Sequence, residues 1–445
     1  MYESTITCRN YSNLNSNEQL LLRSVQLNIM LPYPFKKNCL QILQQYDGKV
    51  PFHQYFKLTA QNHKNWGSKD RKRYKSACYG FWKWCSRELL NDEEHFFQWL
   101  EYFFENIHGG KTLQHSNQSS ESQIESTGIQ FVLTTENVTT SELSIPGSNW
   151  PSWSEGIHEQ KWLNWFRNEA PVWIKRLHQD KSLQSGIDHG DLTVLDIKGD
   201  AISFQSNTNL DFWVEKGDIF IQDYSSQQSM EITDLMIELM AQTKAESSAD
   251  QHSLQILDCC SGAGGKALGL SANLLRKAVG QSANPVRFEL TCTDIRNSIL
   301  HNLKERFKKT GLPLPKTQVV NWSNNENPWI TDHSSTFDAV IADIPCSGSG
   351  TWRRTPEEAH FFDLAYWDTF NTTQKEMVKN ASKMVKLGGY YLVLTCSIFA
   401  RENELLIENF LQEIDSEWEI QQNGFCGGDE HNADFIYRTI LKRKS

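Results

Sequence analysis

Long hydrophobic runs are missing from this sequence, since no apolar stretch approaches the roughly 18 residues that a membrane-spanning helix needs. Paired cysteines are missing as well: the ten cysteines include no C-x-x-C spacing and are too sparse for a disulfide framework. We therefore expect no structural zinc or other metal, and the reducing cytoplasm is the expected compartment. The first residues show no basic start before an apolar stretch, so no secretory leader is expected.

An excess of positive charge is also missing. The chain has 44 basic and 54 acidic residues, which give a formal net charge of −10. This balance disfavours a non-specific polyanion binder, although a local basic surface can still bind nucleic acid because local potential governs association. With 39% hydrophobic residues among 445, most of the chain should fold into globular domains, and about three are expected from its length.

Residues 1–108 have helical spacing. The densest basic run of the chain, Lys64–Lys75, is either a solvated helix start or a patch that contacts phosphates. Residues 109–150 are rich in Ser, Gln, Asn and Gly and predict a polar linker, in which 129–133 form a short apolar piece. The clearest helix of the first region has an apolar face formed by Tyr74, Cys78, Phe81, Trp82 and Cys85.

Two more regions follow. Residues 151–232 begin with helical aromatic spacing at Trp162, Trp165 and Phe166 and continue with the short runs TVLDI, AISFQ and DIFIQD, which predict a small α+β module. Residues 233–445 alternate the runs QILD, FELTCTD, FDAVIAD and YYLVLTC with helical stretches. This alternation of strands and helices predicts an α/β fold, in which helices cover both faces of a mostly parallel sheet. The last run, DFIYRTILKR, is predicted to form an antiparallel edge strand.

The first candidate site combines a glycine-rich turn with an acid. DCCSGAGGK, Asp258–Lys266, follows a strand and opens a helix, where glycines admit a ligand close to the backbone and free N–H groups face it. Tight packing is the alternative explanation for these glycines. Asp294 ends the next strand and can accept ribose hydroxyls or cap a helix. Together the two motifs favour a nucleoside-containing cofactor.

The second candidate site contains two thiols. Cys346 follows Asp343 in DIPCSGSGTWRRTPEE, and Cys396 ends the strand YYLVLTC. Because parallel strands end along one edge, these residues and Lys266 could converge on one pocket. Two thiols without metal spacing indicate thiol chemistry rather than zinc. The pair Arg353–Arg354 is either ordinary surface charge or a phosphate contact.

These motifs together resemble the RsmB/Sun family of RNA 5-methylcytosine methyltransferases, most specifically in DIPCSGSGTWRRTPE and TCSIFARENE. The resemblance covers residues 233–445. APVWIKR and GDIFIQDYSSQ are similar to the family's pre-catalytic module, and NWGSKDRKRYKSACYGFWK resembles the NusB-like domain of bacterial members. The resemblance to this family implies a Rossmann-like class I methyltransferase domain with a seven-stranded sheet. A small RNA-binding α+β module and a helical RNA-binding domain would precede it.

The resemblance also implies residue roles. Cys396 would be the nucleophile, Cys346 would assist product release, and Asp343 with Lys266 would hold the target cytosine. The family's first motif usually has Pro where this chain has Ala263, and Ser323 and Ile299 stand where an acid and a basic residue are expected. The S-adenosylmethionine site would be lined by Cys260, Ser261, Gly262, Ala263, Gly264, Gly265, Lys266, Asp294, Ser323 and Asp343.

The implied activity is methylation of carbon 5 of a cytosine in RNA. The NusB-like front end favours small-subunit (16S) ribosomal RNA, with transfer RNA as the alternative. A DNA enzyme is disfavoured, because DNA cytosine methyltransferases as a family lack the Thr-Cys-Ser strand end. A non-catalytic RNA-binding protein that keeps the fold is favoured by the three substituted positions and opposed by the two cysteines. No membrane or metal partner is expected.

Overall fold

The computed structural model describes residues 31–104, 150–177, 181–233, 235–236, 253–280, 287–414 and 417–444. Contacts divide the chain into two compact units, Met1–Ile145 and Pro146–Ser445. Residues 109–149 of the predicted linker, with its apolar piece, lie outside the described residues, so the linker stays a prediction. None of the helices in the described ranges is long and apolar enough to cross a membrane.

The described part of the first unit is helical. Its helices are α1 (Tyr33–Gln45), α2 (Phe52–Asn62), α3 (Ser68–Trp84) and α4 (Glu93–Tyr102). The apolar face predicted for α3 is buried, and at Gly80 an added Cβ would lie 2.4 Å from the ring of Phe103. At the start of α3 the basic run is largely exposed, which leaves both of its interpretations open; the exposed side chains are Lys64, Lys69, Arg71, Lys72 and Lys75.

The second unit begins with a small antiparallel sheet. Its strands follow the order β2-β3-β1-β4 and enclose an apolar cluster that includes Ile174, Ile202 and Phe204. The predicted strands are observed, and APVWIKR adds a further one, β1. The elements are α5 (Glu159–Arg167), β1 (Val172–Arg176), α6 (Lys181–Asp188), β2 (Val194–Lys198), β3 (Ala201–Phe204), α7 (Asp211–Lys216), β4 (Ile219–Ile221) and α8 (Tyr224–Ser229).

A seven-stranded sheet follows in the order β10-β11-β9-β8-β5-β6-β7. The pairs among β5 to β9 are parallel, and β10 and β11 run antiparallel. The Rossmann-like class I fold is thereby confirmed. The elements are β5 (Leu254–Asp258), α9 (Gly265–Gly280), β6 (Phe288–Asp294), α10 (Asn297–Thr310), β7 (Lys316–Val319), α11 (Pro328–Asp332), β8 (Phe337–Asp343), α12 (Glu357–Phe361), α13 (Leu364–Ser382), β9 (Val385–Thr395), α14 (Glu404–Glu413), β10 (Trp418–Gly427) and β11 (Phe435–Arg443).

The prediction that DFIYRTILKR lies at the sheet edge is wrong, although the strand is antiparallel as expected. This strand, β11, lies between β9 and β10, and its residues are mostly buried. The edge on this side of the sheet is β10, in which residues 419–423 are all exposed. A strand with so little apolar content has no clear period-two signal, so the sequence gives it no strand prediction.

The strand order reverses between β5 and β8. From β5 the chain continues to β6 and β7 on one side, and β8 then pairs with the opposite side of β5. Open α/β sheets bind ligands in the crevice outside the carboxyl ends of the strands at such a switch point. Asp258 and Asp343 end these two strands, so the fold brings both acids to the expected crevice.

Candidate active site

The two predicted cysteines meet at the carboxyl edge of the sheet. Cys346 lies just beyond β8 and Cys396 follows β9, and their Sγ atoms are 3.2 Å apart. The backbone N–H of Cys396 also donates to Cys346 Sγ over 3.1 Å. The hydrogen bond with Cys396, together with burial, raises the pKa of Cys346 well above its usual range. Cys346 therefore keeps its proton and can donate it to the sulfur of Cys396.

Lys266 and Asp343 form an ion pair beside these sulfurs. Lys266 Nζ donates to Asp343 Oδ2 over 2.6 Å. Burial opposes the charge on Lys266, but Asp343 foremost, and then Cys396 and Asp258, raise its pKa overall. Lys266 is therefore a cation whose field reaches Cys396. The structure thus brings the four predicted catalytic residues together.

Asp258 is a buried acid at the switch point. It is fully buried, and neither carboxyl oxygen has a hydrogen-bond partner in the described part of the chain. Burial, reinforced by the charge of Asp343, raises the pKa of Asp258 to about 8. A positively charged ligand group in the crevice would favour ionisation of this acid, because an opposite charge stabilises a carboxylate.

The glycine-rich turn has two kinds of glycine. Gly262 and Gly264 adopt positive φ values of 50° and 80°. A Cβ on Gly264 would lie 2.7 Å from Leu303 Cγ, whereas Cβ atoms on Gly262 and Gly265 would enter open space. The packing explanation thus applies to Gly264. Gly262 and Gly265 leave the backbone accessible to a ligand, as the binding explanation requires.

The turn is fixed to the neighbouring strand and helix. The N–H and hydroxyl of Ser261 both donate to the carbonyl of Thr293 over 2.9 Å. Arg306 of α10 donates to the carbonyl of Ala263 over 2.8 Å. Ala263, where the related family usually has Pro, is therefore held by a side chain from the next helix.

One further contact holds the turn, and a buried thiol precedes it. Gln222, just after β4, donates from Nε2 to the carbonyl of Gly265 over 3.0 Å, and sequence reasoning missed this residue. Cys260 lies between the acid of β5 and the turn. Burial, followed by the charge of Asp258, raises the pKa of Cys260 well above its usual range. Cys260 is therefore an inert thiol in the wall of the crevice.

Asp294 ends β6 and is already bound on both oxygens. Arg296 donates to Oδ1 from Nε over 3.0 Å and to Oδ2 from Nη2 over 3.1 Å, and the N–H of Gly262 donates to Oδ2 over 3.1 Å. Burial would raise the pKa of Asp294, but these donors lower it, so the group is a carboxylate. Arg296 places a cation beside this acid, although the expected position is occupied by Ile299.

Ser323 lies in the turn after β7, near the same edge of the sheet. It is exposed, and its hydroxyl donates to Asn321 Oδ1 over 2.8 Å. The position therefore lacks a carboxylate, and its hydroxyl is engaged within its own turn.

Glu402 is a buried acid beside the cysteine loops that sequence reasoning missed. It is fully buried, and its Oε1 accepts from the N–H of Ser347 over 2.9 Å and from Gln374 Nε2 over 3.0 Å. Its Oε2 accepts from the hydroxyl of Ser397 over 2.5 Å. Because Ser347 and Ser397 directly follow the two cysteines, Glu402 fixes both cysteine loops. The available signal was a glutamate inside the TCSIFARENE motif itself.

A segment far upstream reinforces the loop after Cys396. The N–H of Ser154 donates to the carbonyl of Ile398 over 2.8 Å, and the N–H of Ala400 donates to the carbonyl of Ser152 over 2.9 Å. Asn403 adds a side-chain bond from Nδ2 to the Ser154 hydroxyl over 2.7 Å. The loop after Cys396 is therefore held by residues from the start of the second unit.

The sequence left Arg353 as either a surface charge or a phosphate contact. The structure contradicts both interpretations, because the side chain of Arg353 is completely buried. Arg353 pairs with Asp434 over 3.4 Å and donates to Asn432. Arg354, partly exposed, pairs with Asp434 over 2.8 Å and also with Asp223. These contacts tie the loop after Cys346 to the β10–β11 turn and to the start of α8, so the arginines are structural. No cluster of three metal-ligating side chains occurs in the residues described.

Comparison with known proteins agrees with this geometry. Residues 246–440 match the family model described as 16S rRNA methyltransferase RsmB/F. The chain is similar to ribosomal RNA small subunit methyltransferase B of Xanthomonas campestris pv. campestris, with 27% identity over 204 residues, 44% of this chain and 39% of that protein. It is also similar to the tRNA (cytosine(34)-C(5))-methyltransferase of Drosophila melanogaster, with 28% identity over 177 residues, 38% of this chain and 23% of that protein.

The matched regions span less than half the length of these two relatives. Among solved structures, the crystal structure of PH0851 aligns with a TM-score of 0.60 at 14% identity, covering 94% of this chain and 100% of that chain. This likeness shows a shared fold.

Proposed function

We propose that this chain, whose residues 246–440 match the RsmB/F methyltransferase family model, transfers a methyl group from S-adenosylmethionine to carbon 5 of a cytosine in RNA. The observation that carries the proposal is the pair of sulfurs, Cys346 and Cys396, 3.2 Å apart at the carboxyl edge of the sheet. The ion pair of Lys266 and Asp343 beside them supports it.

The crevice suits the cofactor in its shape and its charge. When bound, S-adenosylmethionine supplies an electrophilic methyl group on a positively charged sulfur. The open space at Gly262 and Gly265 admits a ligand to the backbone, and Asp294 can accept ribose hydroxyls once Arg296 moves aside. Arg296 has a side chain that is 62% exposed, so its displacement costs little packing. The buried carboxyl group of Asp258 favours a cation nearby.

Cys396 begins the reaction on the base. Its thiolate adds to carbon 6 of cytosine, forming an S–C6 bond and moving the electrons of the C5=C6 double bond into the ring, where they make carbon 5 nucleophilic. Negative charge then develops toward N3, where the Lys266 cation can donate a hydrogen bond. Asp343 beside it can accept from the exocyclic amino group of cytosine. One donor and one acceptor held 2.6 Å apart therefore match the edge of this base.

Release requires the reverse of the first bond. After carbon 5 has taken the methyl group, its proton leaves to water, the C5=C6 double bond re-forms, and the S–C6 bond breaks with its electron pair returning to Cys396. Cys346 keeps a proton and lies 3.2 Å from the departing sulfur. Its S–H can therefore stabilise the leaving thiolate by a hydrogen bond.

The target cytosine must reach a pocket at the sheet edge. An unpaired loop is the cheaper substrate, because flipping a base out of a duplex costs a few kcal/mol.

We assign residues 1–108 and 151–232 to binding this RNA in the cytoplasm. Small-subunit ribosomal RNA is the preferred target, given the description of the family model. Transfer RNA is the second candidate, because the Drosophila relative is named for it.

Replacement of Cys396 tests the proposal directly. Cys396→Ala should abolish transfer of tritium from labelled S-adenosylmethionine to RNA while cofactor binding by calorimetry persists, since Cys396 contacts the base. Cys426→Ala, at a buried cysteine of β10, is the control and should retain activity. Methyl transfer at the wild-type rate by Cys396→Ala would refute the mechanism.

Bisulfite sequencing of RNA from cells with and without the gene would identify the target.

A further inference from the structure

A cavity lies away from the cysteines, between the small antiparallel sheet and helix α9. It has a volume of about 290 Å³ and is bounded by β1, the β2–β3 turn, α8 and the C-terminal half of α9. Arg276 in its wall is about 15 Å along α9 from Lys266, given the rise of a helix. Neither the cysteine chemistry nor the cofactor turn uses this cavity.

The wall of this cavity is predominantly cationic. Four basic side chains face two carboxylates. One carboxylate, Asp200, pairs with Arg276, and Lys198 pairs over 3.5 Å with Asp196, which lies outside the wall. Glu231 is exposed, so solvent screens its charge. The basic side chains are Lys175, Lys198, Arg276 and Lys277.

Lys175 is the distinctive group of the wall. It lies in β1 and is 5% exposed, and its ammonium group has no hydrogen bond or ion pair within the part of the chain that the structure describes. Burial, followed by repulsion from Arg276, lowers the pKa of Lys175 to about 8, against a weaker opposing effect of Glu231. A buried cation without a partner is costly, and a bound anion would offset that cost.

We propose that this cavity binds a phosphate group, with the ammonium group of Lys175 as its central contact. Arg276 at the opposite wall adds a planar donor, and Thr233 and Asn273 add neutral polar groups. This assignment rests on the proposed function. The bound phosphate group would be a backbone phosphate of the RNA whose target base lies at the cysteines. Free phosphate has the same chemistry and is the other source to be tested.

Salt dependence of RNA binding by the full chain tests the site. Lys175→Met keeps the aliphatic stem and removes a buried charge, so the fold should persist, which circular dichroism checks. Each phosphate contact to a single strand contributes about 0.7 to the slope of log K against log salt concentration. Lys175→Met should therefore weaken binding of a fluorescent single-stranded RNA and lower that slope by about 0.7. Lys304→Met, at an exposed lysine of α10, is the matched control and should leave the slope unchanged.

A second variant and a second probe keep the test decisive. Arg276→Gln removes a cation, together with its hydrogen bond to the carbonyl of Arg176 over 3.1 Å, and frees the charge of Asp200 toward the cavity, so it should also weaken binding. Inorganic phosphate, compared with chloride at equal ionic strength, should raise the melting temperature of the wild type but not of Lys175→Met.

The outcomes separate the sources. A reduced RNA slope in Lys175→Met supports an RNA phosphate, and an unchanged slope with lost phosphate stabilisation supports a free phosphate. If Lys175→Met and Arg276→Gln change neither measurement, the site does not exist. A wild-type chain that shows the phosphate effect but methylates no RNA would refute the proposed function and leave the cavity assignment standing.

Discussion

At the scale of single residues, the site gives two chemically identical side chains different surroundings. The hydrogen bond with Cys396 and burial raise the pKa of Cys346, while the Lys266 cation has Cys396 within its field. Cys346 is thereby kept protonated, and Cys396 lies near a cation. Environment, rather than residue type, distinguishes the proposed nucleophile from its helper.

Removal of the helper thiol should trap the reaction. In Cys346→Ala the departing sulfur of Cys396 loses its hydrogen-bond donor, so the covalent protein–RNA adduct should accumulate. Denaturing gel electrophoresis with labelled RNA should show a slowly migrating band that the double variant Cys346→Ala/Cys396→Ala lacks. Wild-type turnover by Cys346→Ala without any such band would remove Cys346 from product release.

The convergence of four site residues was predictable from sequence because each stands at a strand end or a helix start on one sheet edge. The roles of Glu402 and Arg353 were not predictable. Glu402 is a buried acceptor only because Ser347 and Gln374 approach it from other parts of the chain. Arg353 is buried because Asp434 lies across from it, a pairing that sequence spacing alone does not reveal.

At the scale of elements, the glycine-rich turn combines packing and access in a few residues. Gly264 lies against Leu303 of α10, and Gly262 faces open space, although both have left-handed backbone. Alanine at either position costs about 1–2 kcal/mol for the positive φ. Only at Gly264 does a steric overlap add to this cost.

Alanine substitutions at these two glycines should therefore separate stability from ligand binding. Gly264→Ala should lower the free energy of unfolding by about 2–5 kcal/mol, since overpacking adds about 1–3 kcal/mol to the backbone strain. Gly262→Ala should cost about 1–2 kcal/mol and chiefly weaken cofactor binding. Urea unfolding and titration calorimetry with S-adenosylmethionine measure the two effects, and equal losses of stability in both variants would contradict the packing difference.

Central strands were easier to predict than edge strands. The interior strands β5, β6, β8 and β9 carry apolar runs, because helices cover both faces of a parallel sheet. The edge strands β7 and β10 are largely exposed and carry polar residues, so their sequences lack that signal. Their place in the sheet is decided by backbone pairing with a neighbouring strand.

At the scale of the whole molecule, buried carboxyl groups make stability depend on pH. Burial raises the pKa of Asp258 to about 8 and that of Asp434 to about 6. For an acid whose pKa is higher in the folded state, the native state holds a proton that the unfolded state has already lost. Its contribution to stability is therefore complete below the unfolded pKa and is lost as pH rises through the folded pKa.

Asp258→Asn should remove the larger part of this decline. Between about pH 4 and 8 the wild type should lose up to about 6 kcal/mol through Asp258, since each pKa unit corresponds to about 1.4 kcal/mol. Urea unfolding at pH 5 and pH 8.5 should show a much smaller decline in Asp258→Asn. Asp332→Asn, at an exposed aspartate of the same unit, should follow the wild type. Identical profiles for wild type and Asp258→Asn would show that Asp258 ionises without cost.

The hydrogen bonds of Ser152 and Ser154 to the loop beyond Cys396 have a practical consequence for anyone shortening the gene. The alternation of strands and helices in the sequence places the start of the α/β domain at residue 233. A recombinant fragment cut there would lack Ser152 and Ser154, which pair with the loop after Cys396. Expression clones should instead start near residue 146, so that the fragment keeps the segment that supports the loop of Cys396.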